Sequence, residues 1–133
     1  TKVEDLIKFV RETKVDTIAA AVGTAHGVYS NEAIIFSLLK AIKKAIKIPF
    51  VLHGSSGVSN AQIKKAIKEG VNIFNVGSDL KIAFCQTLIE VCLKNKTETD
   101  PRNLLMPTIG AVEKTVLEKM KLFGSAGRLE QYV

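Results

Sequence analysis

Apolar positions along the chain alternate between two kinds of run. Leu6, Ile7 and Val10 recur at helical spacing within Asp5 to Thr13, and the next stretch, Val15-Asp16-Thr17-Ile18-Ala19-Ala20-Ala21-Val22, is mostly apolar and stops at Gly23. The first pattern predicts a helix with one buried stripe, and the second a buried strand. The pair then repeats. Ile35, Leu38, Leu39, Ile42 and Ile46 share one helical face, and Pro49 opens the short strand Phe50-Val51-Leu52. Ser59-Asn60-Ala61-Gln62 has the form of a capping box and starts a third helix, with Ile63, Ala66 and Ile67 inward and Gly70 as its stop. Val71-Asn72-Ile73-Phe74-Asn75-Val76 is the third strand. Gly77-Ser78-Asp79 opens a long helix through Ile82, Cys85, Ile89 and Cys92, with Ser78 or Asp79 to cap its free backbone donors.

After that helix the rhythm changes. Asn95 to Asn103 is polar and reads as a loop, and Pro107 suits the first turn of a last helix ending before Gly124. The segments that close the strands recur at residues 23, 53 and 75, a spacing that fits successive βα units of a parallel sheet. A right-handed series of such units closes into a barrel at eight strands, whereas three leave two edges unpaired. Residues 1–133 are therefore expected to form a single partial domain of α/β class, about three βα units plus terminal helices from the C-terminal part of a TIM (β/α)8 barrel. A small open α/β sheet is the alternative.

Composition adds limits. With 47% apolar and 24% charged residues in 133, the chain has the balance of one globular domain. No apolar stretch reaches the roughly 18 residues of a membrane span, and Thr1 to Leu6 has no signal-peptide core, so the expected compartment is the cytoplasm, with no membrane partner. The net charge of +6 raises the question of nucleic acid. Lys40, Lys43, Lys44, Lys47, Lys64, Lys65 and Lys68 are spread over the polar faces of two predicted helices with few aromatics between them, which argues for a solvated face and no nucleic-acid partner. Cys85 and Cys92 lie on one face of a helix, too far apart to bridge, and read as buried thiols.

Candidate chemistry gathers at the strand ends. His26, in Gly23-Thr24-Ala25-His26-Gly27, and His53, in Leu52-His53-Gly54-Ser55-Ser56-Gly57, are the only histidines, and each precedes a glycine. Active sites of α/β barrels collect at the C-terminal ends of strands, so equivalent positions on successive units converge. Imidazole suits zinc, but a catalytic zinc takes three protein ligands and an open position. Two histidines leave that set short by one. Gly54-Ser55-Ser56-Gly57 and Asn75-Val76-Gly77-Ser78 supply small residues beside a strand end and a helix N-terminus, an arrangement that can hold a phosphate. Tight turns chosen for backbone geometry alone are the plainer reading of each loop. Lys81, one turn into its helix, and Arg128, in Gly124-Ser125-Ala126-Gly127-Arg128, are further candidates for anionic groups.

Taken in order, GTAHG, LHGSSG, NVGSDLKIAF, DPR and GSAGR resemble the C-terminal half of class II, zinc-dependent ketose-bisphosphate aldolases over nearly the whole chain. The resemblance implies reversible cleavage of fructose or tagatose 1,6-bisphosphate to dihydroxyacetone phosphate and glyceraldehyde 3-phosphate, with zinc polarising the ketose carbonyl and stabilising the enediolate. It implies that His26 and His53 are two of three zinc ligands. It implies that Gly27, Gly54, Ser55, Ser56, Asn75, Val76, Gly77 and Ser78 contact dihydroxyacetone phosphate, and that Lys81 lies near the other phosphate. Gly77 stands where fructose-cleaving members often carry aspartate or asparagine and tagatose-cleaving ones alanine, a lean toward tagatose. The third histidine and the proton-donating aspartate belong to the family's earlier half. The chain is thus expected to need an N-terminal half-barrel for activity, within a homo-oligomer of the complete enzyme. The rival expectation is a non-catalytic phosphate-binding or scaffold remnant of the same fold.

Overall fold

The computed structural model describes residues 1–24 and 33–129, which fall within two compact units, Thr1–Val76 and Gly77–Val133. His26 and Gly27 lie outside the described residues.

The first unit runs α1 (Val3–Thr13), β1 (Ile18–Ala19), α2 (Phe36–Ala45), β2 (Phe50–Leu52), a 3-10 turn (Ser55–Gly57), α3 (Asn60–Lys68) and β3 (Val71–Phe74). Its strands form one parallel sheet in the order β1-β2-β3, with helical crossovers between neighbours. Ile18, Leu39, Ile42, Ile46, Phe50, Leu52, Ile63, Ala66 and Val71 are buried, so the stripes expected of α2 and α3 do face the sheet. Ile35 does not: it is half-exposed at the N-terminus of α2, where its N–H donates to the Val22 carbonyl at 2.7 Å. Pairing in β1 covers only two of the eight residues expected, because a run of alanines is apolar without being obliged to find a strand partner. β3 stops at Phe74, two residues early.

Ser59 caps α3 through its hydroxyl, which accepts from the Gln62 N–H at 3.4 Å. The reciprocal half of the capping box is missing, since the Gln62 amide oxygen takes the Ile34 N–H at 2.8 Å. That bond ties the entry of α2 to α3. Gly70 ends α3 with φ +96°, a conformation L side chains avoid.

The second unit is a helix pair, α4 (Ser78–Lys94) and α5 (Pro101–Phe123), packed on each other. Four sequence expectations need correction here. Gly77 is the N-cap of α4 and no side chain caps it; Asp79 instead lies 3.0 Å from the Lys119 ammonium, an ion pair whose angle does not make a hydrogen bond. Cys85 and Cys92 are exposed free thiols, because α4 turns Ile82, Ala83, Thr87, Leu88 and Val91 away from solvent instead. The helix is apolar nearly all round, so periodicity could not choose its face. The loop is shorter than expected, with α5 beginning at Pro101 behind an Asp100 cap. Pro107 is interior to α5, where it removes one helical donor; next to it, Thr108 is buried and its hydroxyl donates to the Leu105 carbonyl at 2.6 Å.

The start of α5 carries a pH dependence. Glu98 accepts the Asp100 and Thr99 N–H groups and the Asn103 amide, and Asp100 accepts the Arg102 guanidinium and N–H. The Asp100 N–H is the main cause holding Glu98 below the usual carboxylate range, and the Arg102 side chain is the main cause for Asp100. A carboxyl depressed in the folded state stabilises it above the unfolded pKa, and that contribution is lost as pH falls through the depressed value. The melting temperature of the chain is expected to fall below about pH 5, and Glu98→Gln and Asp100→Asn to flatten the decline.

Candidate functional site

Two contacts converge on His53 beyond the C-terminal ends of the strands. The Thr24 hydroxyl, five residues past the end of β1, donates to the backbone carbonyl of His53 at 2.7 Å. The Asn75 side-chain amide, just beyond β3, lies 3.3 Å from Nε2 of the His53 ring. His53 follows β2 directly, between them. Its backbone is thus held by the segment that follows β1 and its imidazole by the residue that follows β3. A hydrogen-bond partner on a histidine ring fixes the ring's orientation, the role such partners play around metal ligands.

Thr24 was not among the residues singled out in the sequence. Its signal was there, a hydroxyl beside Gly23, but only the path of the chain after β1 shows which carbonyl it meets. Asn75, expected as a phosphate contact, has its side-chain amide beside the imidazole.

Gly54 has φ +68°, so the turn after His53 requires glycine whatever it binds. Ser55 and Ser56 form the 3-10 turn that follows, with Ser55 buried and its carbonyl accepting the Val58 N–H at 3.2 Å. Val76 closes the first unit. Gly77, Ser78 and Lys81 belong to the second, at the start of α4, where the Lys81 N–H reaches the Gly77 carbonyl at 3.1 Å. A Cβ on Gly77 would meet nothing within 4 Å, so crowding does not explain the glycine.

An imidazole at a strand end suits zinc. Among the described residues, however, no group of three histidine, cysteine, aspartate or glutamate side chains stands together to hold a metal ion. By its chemistry His53 could serve as one ligand of such a set.

Comparison with known proteins extends this geometry. The family profile described as class II fructose-bisphosphate aldolase matches residues 1–128. The chain is 41% identical over 122 residues to a 6-phospho-5-dehydro-2-deoxy-D-gluconate aldolase of Bacillus subtilis, covering 91% of this chain and 42% of that protein. It is 36% identical over 125 residues to a fructose-bisphosphate aldolase of Geobacillus stearothermophilus, covering 93% and 44%. The crystal structure of the YdjI aldolase from Escherichia coli K12 superposes with a TM-score of 0.76 at 32% identity, over 96% of this chain and 46% of that one. The chain therefore spans less than half the length of the relatives it matches, and its parallel βα units are a C-terminal portion of their TIM-barrel fold. With a match across nearly all its residues, the chain belongs to the class II fructose-bisphosphate aldolase family.

Proposed function

We propose that this chain is the half of a class II aldolase that supplies two metal ligands and the phosphate-binding loops, and that it acts once the remaining part of the barrel is joined to it. The observation that carries the reading is His53 at the C-terminal end of β2, held by Thr24 and Asn75, in a chain that matches the family over residues 1–128. Coverage of 42% to 46% of the relatives supports the need for the remainder.

In this reading His26 and His53 hold zinc together with a third ligand from the other half. Gly27, Gly54, Ser55, Ser56, Asn75, Val76, Gly77 and Ser78 seat the phosphate end of the substrate, and Lys81 neutralises a second anionic group. Bound zinc would supply a Lewis acid for the substrate carbonyl. The chain's own residues orient the ligand imidazole and present backbone N–H groups to a phosphate. The substrate class is a phosphorylated keto sugar: fructose or tagatose 1,6-bisphosphate by resemblance, widened by the relative named for 6-phospho-5-dehydro-2-deoxy-D-gluconate. The assembled enzyme is read as a cytoplasmic homo-oligomer of carbohydrate metabolism; among the described residues no helix is long and apolar enough to cross a membrane.

The test is aldol cleavage by this chain joined with an N-terminal half-barrel. Turnover by the joined halves and by neither alone is expected. A joined barrel that binds phosphosugar without cleaving it would favour the scaffold alternative.

A further inference from the structure

The pairing of β2 with β3 is not regular. Phe50 lies opposite Val71, but Val51 lies opposite Ile73 and Leu52 opposite Phe74, so Asn72 is passed over between the first pair and the second. A residue skipped on one strand is a bulge, and it advances everything after it by one position. Continued one step, the observed register sets Asn75 across from His53, which agrees with the Asn75 N–H donating to the Leu52 carbonyl at 3.2 Å. Without the skip, the register of the first pair would bring apolar Phe74 opposite His53. Asn75 would then be displaced by about 3.3 Å along the strand and turned to the other face of the sheet.

The skipped residue is itself anchored. The Asn72 side-chain oxygen accepts the Phe50 N–H at 3.0 Å and the Lys43 ammonium at 3.2 Å. Phe50 is fully buried, so the first bond is made at the edge of the core. The Lys43 ammonium also reaches the Ile48 carbonyl at 3.4 Å, and its stem runs so close to Gly70 that a Cβ there would lie 3.1 Å from Lys43 Cε. The lysine thus joins α2, the turn before β2 and the entry to β3.

We infer that Asn72, steadied by Lys43, is a positioning residue: its side-chain oxygen holds the one-residue slip that sets the Asn75 amide, and not Phe74, against the His53 imidazole. The inference rests on the reading of His53 and Asn75 as site residues. Neither Asn72 nor Lys43 reaches the ring; both act through the register.

The experiment is nuclear magnetic resonance on the 133-residue chain. A cross-peak between the Asn75 side-chain amide and His53 Hε1 is expected in the parent. Asn72→Asp keeps an oxygen acceptor and should keep the cross-peak, whereas Asn72→Leu should lose it. In the leucine variant the Phe50 amide should exchange roughly fivefold to tenfold faster, as for one lost hydrogen bond. A folded Asn72→Leu chain that retains the cross-peak overturns the inference, as does its equal loss in Asn72→Asp. Where the leucine variant does not fold, the parent decides: a Phe50 amide protected from exchange supports the anchor, and one exchanging as an unbonded amide overturns it. These readouts need no turnover, so a failed register and a failed aldolase reading give different results.

Discussion

Aldol cleavage by the joined barrel is expected to fall by about a thousandfold or more when His53 is replaced by alanine, since several kcal/mol of Lewis-acid stabilisation go with the metal. The fold should survive the change. Thr24 bonds to the backbone carbonyl of His53, which alanine retains, while the ring contact to Asn75 is removed. Loss of that contact is worth about 1 kcal/mol, the scale of one exposed hydrogen bond. Steady-state kinetics and a thermal melt on the same preparation separate the two effects. A His53→Ala barrel that turns over like the parent would support the scaffold alternative, in which the histidine is an ordinary strand-end residue.

The second large effect concerns Gly23. Its φ is +102°, and a Cβ there would lie 2.4 Å from the Ala33 carbonyl oxygen and 2.9 Å from Ile35 Cγ1. The carbonyl is backbone and cannot step aside as a side chain would, and the neighbouring Val22 carbonyl is already bonded to the Ile35 N–H. Gly23→Ala combines a disfavoured backbone conformation with overpacking, together about 3 kcal/mol. For a small unit that corresponds to a drop in melting temperature of roughly 10 °C or more. Because Gly23 leads directly into Thr24, the joined enzyme should also lose activity at temperatures where it remains folded. A melting temperature within about 2 °C of the parent would show that the segment relaxes freely.

Much of the first unit was legible because apolar runs and their breakers agree. Pro49 before Phe50 and Gly70 before Val71 mark where the chain turns into the sheet, and the stripes of α2 and α3 select one face each. The second unit was less legible for a physical reason. α4 is apolar on several faces, so the choice between Cys85 and Thr87 as inward positions depends on where α5 lies. Pro107 read as a helix start because an interior proline is rare, and the better start was Pro101 behind an Asp100 cap.

The site divides in the same way. That His53 ends a strand was visible from Leu52-His53-Gly54. That Thr24 and Asn75 hold it was not, because each contact joins residues far apart in the chain, and the sequence displays neither the path after β1 nor the register of β3 on β2. Asn72 is the sharpest case. Within Val71 to Phe74 it looks like a polar flaw in an apolar strand, and its consequence appears only when the bulge is seen to advance Asn75 by one place.

The most direct test of the account is the metal dependence of the joined barrel. Cleavage of fructose or tagatose 1,6-bisphosphate, followed as dihydroxyacetone phosphate released, should disappear on dialysis against a chelator and return with added zinc. A rate unchanged by complete removal of metal would contradict the reading of His26 and His53 as ligands, and with it the account of how this chain takes part in catalysis.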